Sequence, residues 1–103
     1  MAELVRVAAA DEIPPGTLKA VEVDGRPICI ANADGELYAV RDNCSHRDFP
    51  LSEGTLHGGA TIECAWHGAR FDLKTGRAIR LPAIKAVQTY EVVVVDGEVF
   101  VRI

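Results

Sequence analysis

Two short clusters of cysteine and histidine constrain this chain more than any other feature of its sequence. The first cluster, CSH, contains Cys44 and His46, and the second, CAWH, contains Cys64 and His67. Together they form the pattern C-x-H-x17-C-x2-H, so each cluster offers one thiolate and one imidazole. Loops that carry such residues between rigid strands are favoured places for chemistry. The sequence therefore predicts one metal centre held by two separate loops.

The mixed ligand set narrows the kind of metal centre. The common zinc pattern pairs two cysteines and then two histidines on a helix, which this chain does not do. The arrangement fits a two-iron, two-sulfide cluster with both cysteines on one iron and both histidines on the other. Neutral imidazoles make such a cluster less negative, so its reduction potential lies above that of a four-cysteine cluster. A structural zinc site is the alternative, because zinc also accepts two sulfurs and two nitrogens.

The rest of the chain has the pattern of short β-strands. Asp-Gly, a pair suited to tight hairpin turns, occurs three times between alternating apolar runs, in VEVDGRPICI, IANADGELYAV and VVVVDGEVFV. Pro14, Pro15 and Gly16 mark a loop before a strand at about residues 17–23, and residues 8–12 predict at most a short turn. We therefore expect an all-β sandwich or small barrel with three hairpins.

Composition excludes some classes of function. A chain of 103 residues is expected to form one domain, and its net charge of -4 disfavours nucleic-acid binding. The first residues are rich in charge and contain no apolar run long enough for a signal peptide or a membrane span. We therefore expect a cytoplasmic protein, in which the three cysteines stay reduced.

The two clusters and their flanks resemble those of the Rieske-type ferredoxins, the small electron carriers of bacterial aromatic-ring dioxygenase systems. The resemblance covers nearly the whole chain and rests on CSH, CAWH, the following GARFDLKTG, and LPAIK, which is similar to the family's proline loop. It implies an antiparallel β-sandwich of one domain, residues 1–103, with a cluster-binding subdomain at roughly residues 43–82. It also implies one [2Fe-2S] cluster per chain, held by Cys44, His46, Cys64 and His67.

By this resemblance the chain passes single electrons from a flavin-dependent ferredoxin reductase to a terminal oxygenase and acts as a monomer. It is not expected to be an oxygenase, which also needs a mononuclear iron held by two histidines and a carboxylate, because only His57 is left over. One alternative is the Rieske-like small subunit of an assimilatory nitrite reductase, whose relatives often lack some of the four ligands. Another is a zinc-stabilised binding module without a redox role.

Several further residues have two interpretations. We expect Cys29, between two isoleucines, to be a buried apolar residue, and His57, in the stretch GTLHGG, to face solvent in a turn. Arg47 and Arg70 either steer acidic partners or solvate the ligand loops. The apolar residues of the loops either pack against one another or form a docking rim; they are Phe49, Pro50, Leu51, Trp66 and Pro82.

The sequence predicts a midpoint potential in the lower part of the Rieske range. Respiratory Rieske proteins, which look similar in these loops, have disulfide cysteines where this chain has Phe49 and Trp66, and hydroxyl side chains where it has Ala69 and Phe71. Without hydroxyl hydrogen bonds to sulfur, the reduced state is less stabilised. We expect a midpoint on the order of -150 mV in a redox titration, and a value above roughly +200 mV would contradict this interpretation.

Overall fold

The computed structural model describes residues 3–43, 50–58, 60–65, 68–80 and 86–103. Within these ranges the chain is built almost wholly of strands, with two 3-10 turns at Ala10–Glu12 and Leu51–Glu53. No helix in the described ranges has the length and hydrophobicity needed to cross a bilayer. The strands are β1 Leu4–Ala9, β2 Leu18–Val23, β3 Arg26–Ala33, β4 Glu36–Arg41, β5 Thr55–His57, β6 Thr61–Glu63, β7 Arg70–Asp72, β8 Ala78–Arg80, β9 Thr89–Val95 and β10 Glu98–Arg102.

A six-stranded antiparallel sheet has the order β1-β10-β9-β4-β3-β2. Its three hairpins turn at the three Asp-Gly pairs, as the sequence predicted. Asp24, Asp34 and Asp96 have φ of 51°, 55° and 50°, and the glycine after each also has positive φ. Positive φ at both central residues gives the two-residue turn whose twist matches that of the flanking strands. The prediction of an all-β architecture is confirmed.

A second antiparallel sheet of four short strands has the order β5-β6-β7-β8. Leu56 pairs with Ile62, and Ile62 pairs with Phe71 across the next ladder. Ile62 and Phe71 are both fully buried. Because side chains alternate along a strand, the residues on either side of Ile62 lie on the opposite, outer face of this small sheet.

Strand β3 is buried on both of its faces. Ile28 and Ile30 join one core, with Ile13 and Val101 among its members. Cys29 and Ala31 point the other way, into a second core formed with the small sheet. Burying a large apolar side chain contributes about 1.5–3 kcal/mol. The second core therefore fastens the small sheet to the large one; it contains Cys29, Ala31, Val40, Leu51, Ile62, Cys64, Ala69, Phe71, Leu73 and Val87.

The structure confirms Cys29 as a buried apolar residue, since it is 0% exposed. Burial, with a smaller contribution from the nearby Asp42 carboxylate, raises the pKa of the Cys29 thiol well above its ordinary value. The thiol therefore stays protonated at neutral pH, and a protonated thiol is neither a good nucleophile nor a metal ligand.

The N-terminal region differs from the sequence prediction. The short turn expected at residues 8–12 is present at Ala10–Glu12, but Ala8 and Ala9 belong to strand β1, which the sequence analysis did not predict. This strand pairs antiparallel with β10, with a bulge between Arg6 and Ala8. The strand was missed because its alanine-rich end has weak β propensity, and pairing with β10 overrides that local preference.

Gly54, which lies between the 3-10 turn Leu51–Glu53 and β5, packs its backbone closely against the end of β6. A Cβ at this position would overlap the carbonyl oxygen of Glu63 and lie 3.1 Å from that of Leu51. We expect Gly54→Ala to lower the free energy of unfolding by about 1–3 kcal/mol, because backbone must move to admit the methyl group. Urea unfolding followed by circular dichroism measures the change.

Gly58→Ala is the matched control for this substitution. A Cβ on Gly58 would meet no described atom within 4 Å. Substitution there should be neutral or raise stability by up to roughly 1 kcal/mol through the unfolded chain. Equal unfolding free energies for the two variants would show that the close approach at Gly54 does not matter.

Candidate metal centre

The structure describes one of the four predicted ligands. Cys64 follows β6 directly and is 0% exposed. Cys44, His46 and His67 lie outside the described residues. Outside them too are four further residues of the sequence analysis: Arg47, Phe49, Trp66 and Pro82. The structure therefore shows the residues that flank each predicted ligand loop.

The first ligand loop, residues 44–49, is fastened at both ends by one carboxylate. Asp42 lies just before the loop and is 9% exposed. Its Oδ1 accepts a hydrogen bond from the Ser52 backbone N–H and its Oδ2 one from the Ser52 hydroxyl, both at 2.7 Å. The Asp42 N–H in turn donates to the carbonyl of Pro27, at 2.9 Å. We name this pair of side-chain contacts the Asp42–Ser52 clamp.

The second ligand loop is the connection between β6 and β7. The Cys64 N–H donates to the Ala69 carbonyl at 2.7 Å, and Glu63 pairs with Arg70 in the strand register just below. Gly68, with φ of 70°, supplies the left-handed backbone conformation that the return of the loop needs. The described residues on either side of positions 66 and 67 are thus joined by backbone hydrogen bonding.

The segment that contains LPAIK is also anchored where it rejoins the described chain. The Val87 N–H donates to the Gly76 carbonyl at 2.8 Å, and the Gly76 N–H donates to Asp72 at 2.7 Å. A Cβ on Gly76 would overlap the carbonyl oxygen of Val87, so the two backbones approach more closely than another residue type would allow. Three loops are therefore held by three separate sets of hydrogen bonds.

The described residues around Cys64 form an apolar floor. Leu51, Ile62, Ala69 and Phe71 are each 0% exposed and share one core with Cys64. Ala69 and Phe71 are the two positions at which respiratory Rieske proteins have hydroxyl side chains. Both are buried beside Cys64 in this core, and neither can donate a hydrogen bond to sulfur. A thiolate in such surroundings needs a cation beside it, so a buried cysteine here fits an iron–sulfur group.

A charged group on the outer face of the small sheet was not predicted. Glu63 Oε1 lies 2.9 Å from Arg70 Nε, which donates to it, and 2.8 Å from His57 Nε2. The hydrogen bond from Arg70 is the main cause that lowers the pKa of Glu63 below its ordinary value. One sequence signal could have located Glu63. In the short run TIE, alternation of side chains puts Ile62 inward and therefore Glu63 on the outer face, where it can reach side chains of a neighbouring strand.

This group of charged residues bears on the expectations for His57 and Arg70. His57 ends strand β5 and does not lie in an exposed turn, and its Nε2 is buried although the side chain as a whole is 35% exposed. The predicted turn is therefore wrong, because pairing with β6 extends to this residue, but the side chain lies on the outer face of the small sheet and is partly exposed. Arg70, for which steering and solvation were both open, bonds within the chain to Glu63.

Comparison with known proteins agrees with this geometry. The model of the Rieske [2Fe-2S] domain matches residues 3–91. A Photorhabdus laumondii protein, the 3-phenylpropionate/cinnamic acid dioxygenase ferredoxin subunit, is 42% identical over 97 residues, which cover 94% of this chain and 91% of the relative.

Two solved structures are similar over nearly all of both chains. The ferredoxin of carbazole 1,9a-dioxygenase from Nocardioides aromaticivorans is 37% identical, with a TM-score of 0.91 and coverage of 95% of each chain. A chain in a complex of reduced oxygenase and oxidized ferredoxin in carbazole 1,9a-dioxygenase is also 37% identical, with a TM-score of 0.89 and coverage of 95% and 91%.

The nitrite reductase alternative receives support from the fold alone. A putative NADH-dependent nitrite reductase small subunit from Mycobacterium tuberculosis has a TM-score of 0.90, with 100% and 96% of the chains covered, but is only 22% identical. Since the domain model matches most of the sequence and a 42% identical ferredoxin subunit aligns with nearly all of it, this chain belongs to the Rieske [2Fe-2S] domain family and carries one [2Fe-2S] cluster.

Proposed function

We propose that this Rieske ferredoxin accepts single electrons from a flavin-dependent ferredoxin reductase and delivers them to the terminal oxygenase of an aromatic-ring dioxygenase system. The observation that carries the proposal is the similarity, over 95% of both chains, to a ferredoxin of such a system. The chain is an electron carrier and not itself a catalyst. The solved complex of a related ferredoxin with its oxygenase supports the oxygenase as the acceptor.

The ligands are proposed residue by residue. Cys44 and Cys64 would hold one iron and His46 and His67 the other, within a cluster-binding subdomain of roughly residues 43–82. The buried position of Cys64 and the closed base of its loop support this assignment. The bound group supplies a reversible one-electron redox centre.

The chain's own residues then have two tasks. The Asp42–Ser52 clamp and the Cys64–Ala69 hydrogen bond each hold together the two ends of one ligand loop, which limits reorganisation of that loop when the charge of the centre changes. Leu51, Ile62 and Phe71 keep water from the protein side of the centre. The ligand cysteines must remain thiolates, so we also propose a reducing compartment, the cytoplasm.

The ligand assignment is tested with two buried cysteines. We expect Cys64→Ala to lose the cluster and Cys29→Ala to retain it, because both residues are 0% exposed in the same core but only Cys64 is placed on a ligand loop. Iron and acid-labile sulfide analysis, with an electron paramagnetic resonance spectrum of the dithionite-reduced protein, measures this. Two irons per wild-type chain are expected; one zinc and no sulfide would instead establish the binding module.

The carrier function is tested by electron delivery. We expect the dithionite-reduced protein to be re-oxidised, under anaerobic conditions, faster by purified terminal oxygenase of carbazole 1,9a-dioxygenase than by buffer alone, as followed by the visible absorption of the cluster. The ferredoxin of the carbazole system serves as the positive control. Re-oxidation by a nitrite reductase flavoprotein subunit, with none by the oxygenase, would overturn the proposed function.

A further inference from the structure

The charged group beside the second ligand loop is not explained by folding alone. Glu63, Arg70 and His57 lie on the outer face of the small sheet, with side chains 28%, 33% and 35% exposed. Exposed ion pairs of this kind contribute little to stability. Their position is unusual, because Glu63 immediately precedes the ligand Cys64 and Arg70 follows the last residue of the loop.

The two oxygens of Glu63 have different surroundings. Oε1 is the atom near both basic side chains, at 2.9 Å from Arg70 Nε and 2.8 Å from His57 Nε2. Oε2 is directed to the loop, where a Cβ built on Gly68 would lie 3.5 Å from it. Gly68 is the neighbour of the proposed ligand His67. The carboxylate therefore stands between a cationic anchor on one side and the ligand loop on the other.

We propose that Glu63 tunes the reduction potential of the centre through its charge: anchored by Arg70, it holds a fixed negative charge beside the second ligand loop. The inference rests on the proposed ligation by Cys64 and His67. Reduction adds an electron to the centre, and a negative charge close by disfavours that step. Arg70 offsets part of this charge, so the pair, and not Glu63 alone, determines the field at the loop.

Because Glu63 and Arg70 carry opposite charges, removing each charge should shift the midpoint potential in opposite directions, which a purely structural role would not do. Glu63→Gln keeps an acceptor for Arg70 but removes the negative charge, and should raise the midpoint potential. Arg70→Gln leaves the carboxylate uncompensated and should lower it. The double variant should return close to the wild-type potential. A contact that only holds the loop in place would shift both single variants in the same direction, since each breaks the same ion pair.

The control is an ion pair of the same type on the large sheet. Glu91 and Arg102 lie on β9 and β10, with Arg102 Nε 2.6 Å from Glu91 Oε1. Glu91→Gln and Arg102→Gln should leave the potential unchanged. All proteins are titrated at about pH 8, where an ordinary histidine is neutral, and at two salt concentrations, because screening should reduce the shifts at higher salt.

The outcomes separate this inference from the proposed function. A wild-type protein without a reducible cluster would overturn the proposed function and the inference together. A wild-type protein with a Rieske spectrum, but with single variants that shift together or no more than the controls, would overturn the inference alone. If Glu63→Gln fails to hold iron, Arg70→Gln decides by itself: it must lower the potential, and an unchanged or raised value rejects the proposal.

Discussion

Packing of the small sheet onto the face of β3 that carries Cys29 and Ala31 is the interaction on which the position of Cys64 depends. Strands of three residues, such as β5 to β8, make too few ladder hydrogen bonds to be stable alone. They are stable here because Ile62 and Phe71 are buried against Cys29 and Ala31 of β3. The same core includes Cys64, so this proposed ligand is fixed by the packing that holds the two sheets together.

The electronic properties of the centre follow from what surrounds that core. Below Cys64 the floor is apolar, with Ala69 and Phe71 fully buried and without hydroxyl groups. Beside it the Glu63–Arg70 pair places two opposite charges at the base of the second loop. We expect both features to act on the energy of adding an electron, the first through missing hydrogen bonds and the second through charge. Residues around the ligands tune such a carrier in addition to the ligands themselves.

Local sequence predicted the parts of this fold that are decided locally. Asp-Gly turns need only two residues with positive φ, so Asp24, Asp34 and Asp96 could be placed from the sequence alone. The ligand pattern could be found for the same reason, since its chemistry depends on residue type and spacing. Strand β1 and the place of His57 at the end of β5 could not, because both depend on pairing with another strand. The Asp42–Ser52 clamp likewise joins side chains that no periodicity connects.

The clamp has a consequence for how the protein is made. Its bonds, and those at Cys64–Ala69 and Gly76–Val87, run between groups of the polypeptide and use no metal–ligand bond. In zinc fingers, by contrast, metal binding itself drives folding. Here the described hydrogen bonds that join the ends of the loops are made by the polypeptide alone. Absence of the cluster, before its insertion or after its loss, therefore removes none of these bonds directly.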